Sequence, residues 1–312
     1  MRRNAEAVAE EIPADEITFE VMAKRLSKDV KLAGAKMNRS SARFMVDTYY
    51  QLQTFRQASD RMVKDGEKAG EESTALQWVA GVHGRMELAV RAMLGVWAEQ
   101  SEVGRWSIAQ YGIGPVIAAG MLAHIEIDKV QGVGQIWSFA GLNPTVTWEK
   151  GQKRPWNARL KTLCWKMANV FLKFKGREEC AYGQALGAYW GHRKVRNERG
   201  DFRELAASTL AAKKFRESET KEHYEAGELP DGRVLLQAER WIAKMFLAHW
   251  FWVAWEAKHG TPAPLPYIFR DGGHRDLWAP PGYDMLKRND PSGVKVHRTV
   301  GSFLQAQGFK IA

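Results

Sequence analysis

The sequence of 312 residues predicts an all-α fold, and three features of its patterning carry that prediction. Apolar residues recur at helical spacing through most of residues 18–100. A bend punctuated by glycine, Gly112-Ile113-Gly114-Pro115, separates two apolar runs that read as helices. Residues 233–258 are apolar on almost every face, the pattern of a buried helix. The expected division is a lead-in over 1–17, a helical hairpin over 18–103, a helical domain around the bend over 104–258, and a loop-rich tail over 259–312.

Residues 1–17 are acidic and contain Pro13, which suits a frayed lead-in. Thr18 can cap a helix running to about Ala33, with Phe19, Met22, Leu26 and Val30 on one side and Gly34 at its end. Ser40 or Ser41 can cap a second helix, whose stripe is Phe44, Tyr49, Leu52, Phe55, Ala58 and Met62; Gly66 and Gly70 mark its turn. A third helix runs from about Ser73 to Gln100, with Val90, Leu94 and Trp97 among its apolar positions. Two long amphipathic helices joined by a short polar turn make an αα-hairpin of coiled-coil type. Such a hairpin can pair with a second copy to make a homodimer, clamp DNA, or simply brace the core.

The bend has the pattern of a helix-hairpin-helix. Gly112 and Gly114 are expected at positive φ, which residues with a Cβ resist. Pro115 suits the first turn of the outgoing helix, where its missing N–H would have no partner. Free amides at that helix start attract an anion, so Gly112, Ile113 and Gly114 are candidate phosphate contacts. Gly132-Val133-Gly134, entering a helix from Gln135 to Gly141, is a second candidate of this kind. His124, Glu126 and Asp128 follow the outgoing helix and are the candidates for acid–base work.

Charge points to the partner. The formal net charge is +10 and the pI about 9.5, which favours a polyanion, with nucleic acid the commonest. Thirteen Trp residues are many for this length, and several stand beside basic ones: Trp148 near Lys150, Trp156 near Arg154, Trp165 beside Lys166, Trp190 near Arg193 and Lys194. Such pairs can stack on bases while holding phosphates. Candidate DNA contacts are therefore Lys150, Lys153, Arg154, Trp156, Asn157, Arg159 and Lys161. The run His192-Arg193-Lys194-Val195-Arg196 adds a strip that could track a backbone, with Arg193, Lys194 and Arg196 as its contacts. Residues 206–225 read as polar, exposed helix, broken at Gly227, Pro230 and Gly232. In the apolar helix 233–258, Arg240 and Lys244 stand one turn apart as an anion seat, with His249 on or near the same side.

Other chemistries find little support. Cys164 and Cys180 are too few for a disulfide framework or a zinc cluster and suit a reducing cytoplasm, bacterial or phage-infected. The run Met245 to Trp255 is too short to span a bilayer, so no membrane partner is expected. His274 lies near Asp271 and Asp276 without a metal-ligand spacing, and no metal site is expected. Walker, His-Glu-x-x-His, Gly-x-Ser-x-Gly and Cys-x-x-Cys motifs are missing, so no cofactor is named.

The order of motifs from Trp106 to Lys175 resembles the C-terminal domain of an insertion-sequence transposase family, whose members join a RuvC-like nuclease domain to a helix-hairpin-helix domain and use a guiding RNA. The family's G-[IV]-G-P hairpin matches Gly112 to Pro115. Its aromatic-Ala-Gly-Leu-x-Pro segment matches Phe139 to Pro144. Its basic loop matches Lys150 to Arg159, and its helix rich in Arg and Lys matches Leu160 to Lys175. The resemblance covers about a quarter of the chain. It implies DNA engagement, with RNA as a further partner. Residues 1–100 lack the apolar strands of a RuvC-like domain, and Thr145 and Thr147 stand between Pro144 and Trp156 where the family's nucleophilic serine is expected, so strand transfer by serine does not carry over. Three readings follow: a DNA-binding protein of phage or mobile-element type, transposase-like or recombinase-like; an enzyme modifying a flipped or modified pyrimidine in DNA; or a helical interaction protein without catalysis.

Overall fold

The computed structural model describes residues 19–287 and 293–309, with side chains from residue 28 onward. The lead-in over 1–17, the Thr18 cap and the positions of Phe19, Met22 and Leu26 on their helix lie outside the described residues. Among the described residues the chain is all-α apart from two three-residue strands, and it divides into two compact units, 1–97 and 98–312.

The first unit contains α1 (Phe19–Lys36), α2 (Arg39–Ala69) and most of α3 (Thr74–Glu99). Asn38, rather than Ser40 or Ser41, caps α2: its side chain accepts from the Ser41 amide at 2.8 Å. Gly70 ends α2 in the left-handed conformation at φ 74°, while Gly66 stays helical, so the turn is set by one glycine. Gly34 does not end α1. It lies inside it, where an added Cβ would meet the Met93 carbonyl oxygen at 2.7 Å, and it allows α1 to approach α3.

The expected stripe on α2 splits into two faces. Ala42, Val46, Leu52 and Ser59 are buried, whereas Phe44, Phe55 and Met62, which share one side of the helix, are exposed. Polar side-chain pairs join α2 to α3. Arg56 Nε donates to Glu87 at 2.5 Å, and Ser59 Oγ lies 3.0 Å from His83 Nδ1.

The second unit begins with α4 (Glu102–Ala109) and α5 (Pro115–His124), joined through the bend, and continues with α6 (Val133–Phe139), a loop, α7 (Ala158–Lys173) and α8 (Ala181–Glu198). Then follow α9 (Arg203–Ala212), α10 (Glu219–Glu225), α11 (Asp231–His259), α12 (Tyr267–Arg270), β1 (Asp276–Trp278), β2 (Lys295–His297) and α13 (Val300–Ala306). As its composition predicts, α11 is the spine, packing on α4, α6, α7 and α8 and burying Phe246, Trp250, Phe251 and Trp252. α9 and α10 are not simply polar surface: Phe202, Ala206, Tyr224, Leu229 and Val234 form a small core of their own.

The tail is fastened to this core. β1 and β2 pair in parallel, and Trp278 is buried. Trp106 Nε1 donates to the Pro281 carbonyl at 2.9 Å, and the Leu286 amide donates to Glu256 at 3.0 Å. His297 Nε2 lies 2.7 Å from Asp276, so Asp276 serves a strand pair rather than a site with His274 and Asp271. Among the described residues no group of three or more His, Cys, Asp or Glu side chains converges on a metal position. No described helix is long and apolar enough to cross a membrane.

Candidate nucleic-acid interface

At the bend the two glycines have different roles. Gly112 has φ 87°, and an added Cβ would lie 2.7 Å from Val170 Cγ1. It is therefore required both by conformation and by the close approach of α7. Gly114, expected at positive φ, instead has φ −94° and ψ 173°, caps α5, and has open space where a Cβ would be. Pro115 occupies the first turn as predicted. Ile113, expected at a phosphate, is only 4% exposed and anchors the bend in the core. Behind it Gly120 lets α5 press on α7, where an added Cβ would meet Leu163 at 2.6 Å. Gly132 is extended and Gly134 lies in a seven-residue helix, so the second Gly-x-Gly does not repeat the bend.

The basic loop leads into α7 and forms a cleft of about 440 Å³, walled by Trp148, Trp156 and Trp165 with Arg154, Lys161 and Thr162. Each wall has a local cause. Trp148 Nε1 donates to the Gln152 carbonyl at 2.7 Å, which folds the loop onto its own ring. Arg154 then lies over that ring at 4.9 Å. Trp156 is seated against Gly141, which has φ 65° and no room for a side chain: a Cβ would meet the indole at 2.8 Å. Lys161 Nζ lies 4.2 Å from the Trp156 ring centre. Trp165, one turn beyond Lys161, is 53% exposed.

Cations crowd here. Burial lowers the Lys161 pKa, and the nearby positive charges of Arg240 and Arg154 lower it further. Burial and Arg240 act on Lys244 in the same way, and its Nζ lies 5.2 Å from the Trp137 ring centre. The Arg240 charge thus acts on both Lys161 and Lys244. Arg240 is exposed and Lys244 half-buried, because they leave the spine on its outward side. Lys150, Lys153 and Arg159 are exposed on or beside the loop.

Other candidates have structural work. Asn157 caps α7, accepting from the Leu160 amide at 3.0 Å. That orients its Nδ2 toward His124 Nδ1 at 3.2 Å, so the His124 nitrogen accepts a hydrogen bond. His124 is buried, which does not suit it to exchange protons with a strand. Glu126 pairs with Lys129 at 2.8 Å and Asp128 with Lys258 at 3.0 Å. The strip on α8 is also largely engaged: Arg193 binds Gln237 and covers the Phe202 ring, Lys194 lies 3.3 Å from Asp231, and Asp201 accepts from both Arg196 and Arg199. Those two arginines hold the Asp201 carboxyl well below the usual carboxylate range. His249 is a core residue, bonded on both nitrogens.

Trp148 and Trp165 complete the cleft but were not among the contacts expected from sequence. Their signal was the pairing of each Trp with a nearby basic residue; what it lacked was the fold that brings loop and helix together. No family model, curated protein or solved structure matches this chain.

Proposed function

We propose that this protein binds DNA, holding phosphates with Lys161, Arg154, Arg240 and Lys244 and stacking bases on the Trp148, Trp156 and Trp165 rings. The observation that carries this reading is the crowding at Lys161, whose neighbouring charges, Arg240 and Arg154, are both positive. Like charges held together destabilise the free protein, and a polyanion relieves them. Indole rings in the same cleft supply surfaces on which any base can stack. The open space at Gly114, where α5 begins, offers a second place for a phosphate. The resemblance over 112–175 is the ground for reading the protein as one of phage or mobile-element type.

The test is retention of duplex and single-stranded DNA across a salt series. Contact with several phosphates gives an affinity that falls steeply with salt. Replacing Lys161 and Arg240 with Gln lowers that slope by about one for each phosphate no longer neutralised. Retention indifferent to salt, or to both substitutions, overturns the reading.

A further inference from the structure

A second cavity, about 630 Å³, opens beside the bend and is walled by Trp106, Tyr111 and Tyr283. Its polar lining includes two carboxylates, one guanidinium, an amide and tyrosine hydroxyls. Glu102 and Glu179 stand in its wall and are exposed. Gln110, 7% exposed, lines it from within. Gln110 Nε2 donates to the Trp106 carbonyl at 3.0 Å and to the Pro281 carbonyl at 3.2 Å. Carbonyls only accept, so these two bonds fix the amide's orientation and use both of its hydrogens. Both bonds use the amide nitrogen, which leaves Oε1 to accept from a ligand. The cation of this wall, Arg105, directs Nη1 to the Glu99 carbonyl at 2.7 Å.

This chemistry selects a ligand. Two carboxylates against one guanidinium leave the wall net negative, which disfavours a phosphate. Flat aromatic walls with an amide oxygen and carboxylates suit a flat ring carrying N–H donors. Gln110 and Tyr111 directly precede Gly112, so the cavity adjoins the bend. We infer that the cavity receives a nucleobase with an exocyclic amine, extruded from DNA whose backbone lies on the Gly112–Pro115 bend. The inference rests on the DNA-binding reading. The amine donates to Gln110 Oε1 and to the carboxylates while the ring lies among the aromatic walls. Thymine has no exocyclic amine and brings carbonyl oxygens toward the carboxylates. Extrusion costs least where the base is already unpaired.

The test uses the full chain and four duplexes that differ in one unpaired nucleotide: adenine, cytosine, thymine or an abasic residue. Affinity is read by fluorescence anisotropy at one salt concentration, with a fully paired duplex as reference. The adenine and cytosine bulges are expected to bind about tenfold more tightly than the thymine and abasic bulges. Replacing Glu102 and Glu179, both exposed, with Ala is expected to erase that preference without weakening the paired duplex. Equal affinity for all four bulges, with salt-dependent binding of the paired duplex retained, overturns the inference and leaves DNA binding standing. A preference that survives the double substitution overturns the assignment to this cavity. Failure to bind any of the duplexes removes both.

Discussion

The Tyr182 hydroxyl lies 2.7 Å from Nδ1 of His249, deep in the second unit. His249 Nε2 lies 2.8 Å from the Trp278 carbonyl oxygen, which can only accept. The ring is therefore protonated on Nε2, and Nδ1 accepts from tyrosine. Burial pushes the Tyr182 hydroxyl well above its usual range, so it keeps its proton. One neutral imidazole thus joins α8, α11 and β1.

That arrangement makes stability depend on pH. Burial lowers the His249 pKa to about 3, opposed by its bond to the Trp278 carbonyl. In the unfolded chain the ring titrates near 6.5, as an unperturbed histidine does. Between those values the unfolded state binds the extra proton, so stability is full above about pH 6.5 and falls as pH drops toward 3, by up to about 1.4 kcal/mol per unit. Urea unfolding at pH 7 and pH 5 measures the loss. In His249→Gln, less stable at both, the part of the loss due to this group disappears.

The two bend glycines separate by substitution. Gly112→Ala forces a Cβ into the left-handed region and against Val170, and is expected to lower stability by about 1–3 kcal/mol. Gly114→Ala meets neither obstacle and should cost less, about 0.5–1 kcal/mol for a poorer N-cap, in thermal unfolding. A methyl at 114 is nonetheless expected to weaken DNA retention, since it occupies the space a phosphate would approach.

Stacking in the cleft can be read optically. DNA is expected to quench tryptophan fluorescence, with Trp165→Ala removing part of the quench and weakening single-strand binding by about 1–3 kcal/mol. Trp165 is exposed and leaves the core undisturbed, so its thermal midpoint should move little. Unchanged affinity would place the bound strand elsewhere.

Asn157 provides the complementary case. Asn157→Ala removes the α7 cap and the bond to His124, and should lower stability by about 1 kcal/mol. Asn157→Asp keeps the capping oxygen and is expected to recover most of that loss. The readout is the urea midpoint at constant m-value.

Local rules made much of this protein legible. The spacing of apolar residues predicts the three N-terminal helices and the spine at 233–258, because helix faces repeat within a few residues. Pro115 and Gly112 behaved as their chemistry requires. Gly34 and Gly114 did not: glycine also serves close packing and capping, and only the neighbouring chain distinguishes these uses. The α2 stripe failed for a related reason. Phe44 and Leu52 are both apolar, but their angular positions face different surroundings, and which face meets α3 is decided by packing.

Composition and periodicity by themselves determined that the chain is helical, basic and rich in tryptophan beside cations, with a bend at 112–115. Tertiary structure alone decided how those cations are deployed. Asp201 and Gln237 engage the arginines of α8, while Arg240 arrives from a distant helix to stand near Lys161, like charge beside like charge. Electrostatic energy depends on distance through space, and the chain's order does not contain that distance.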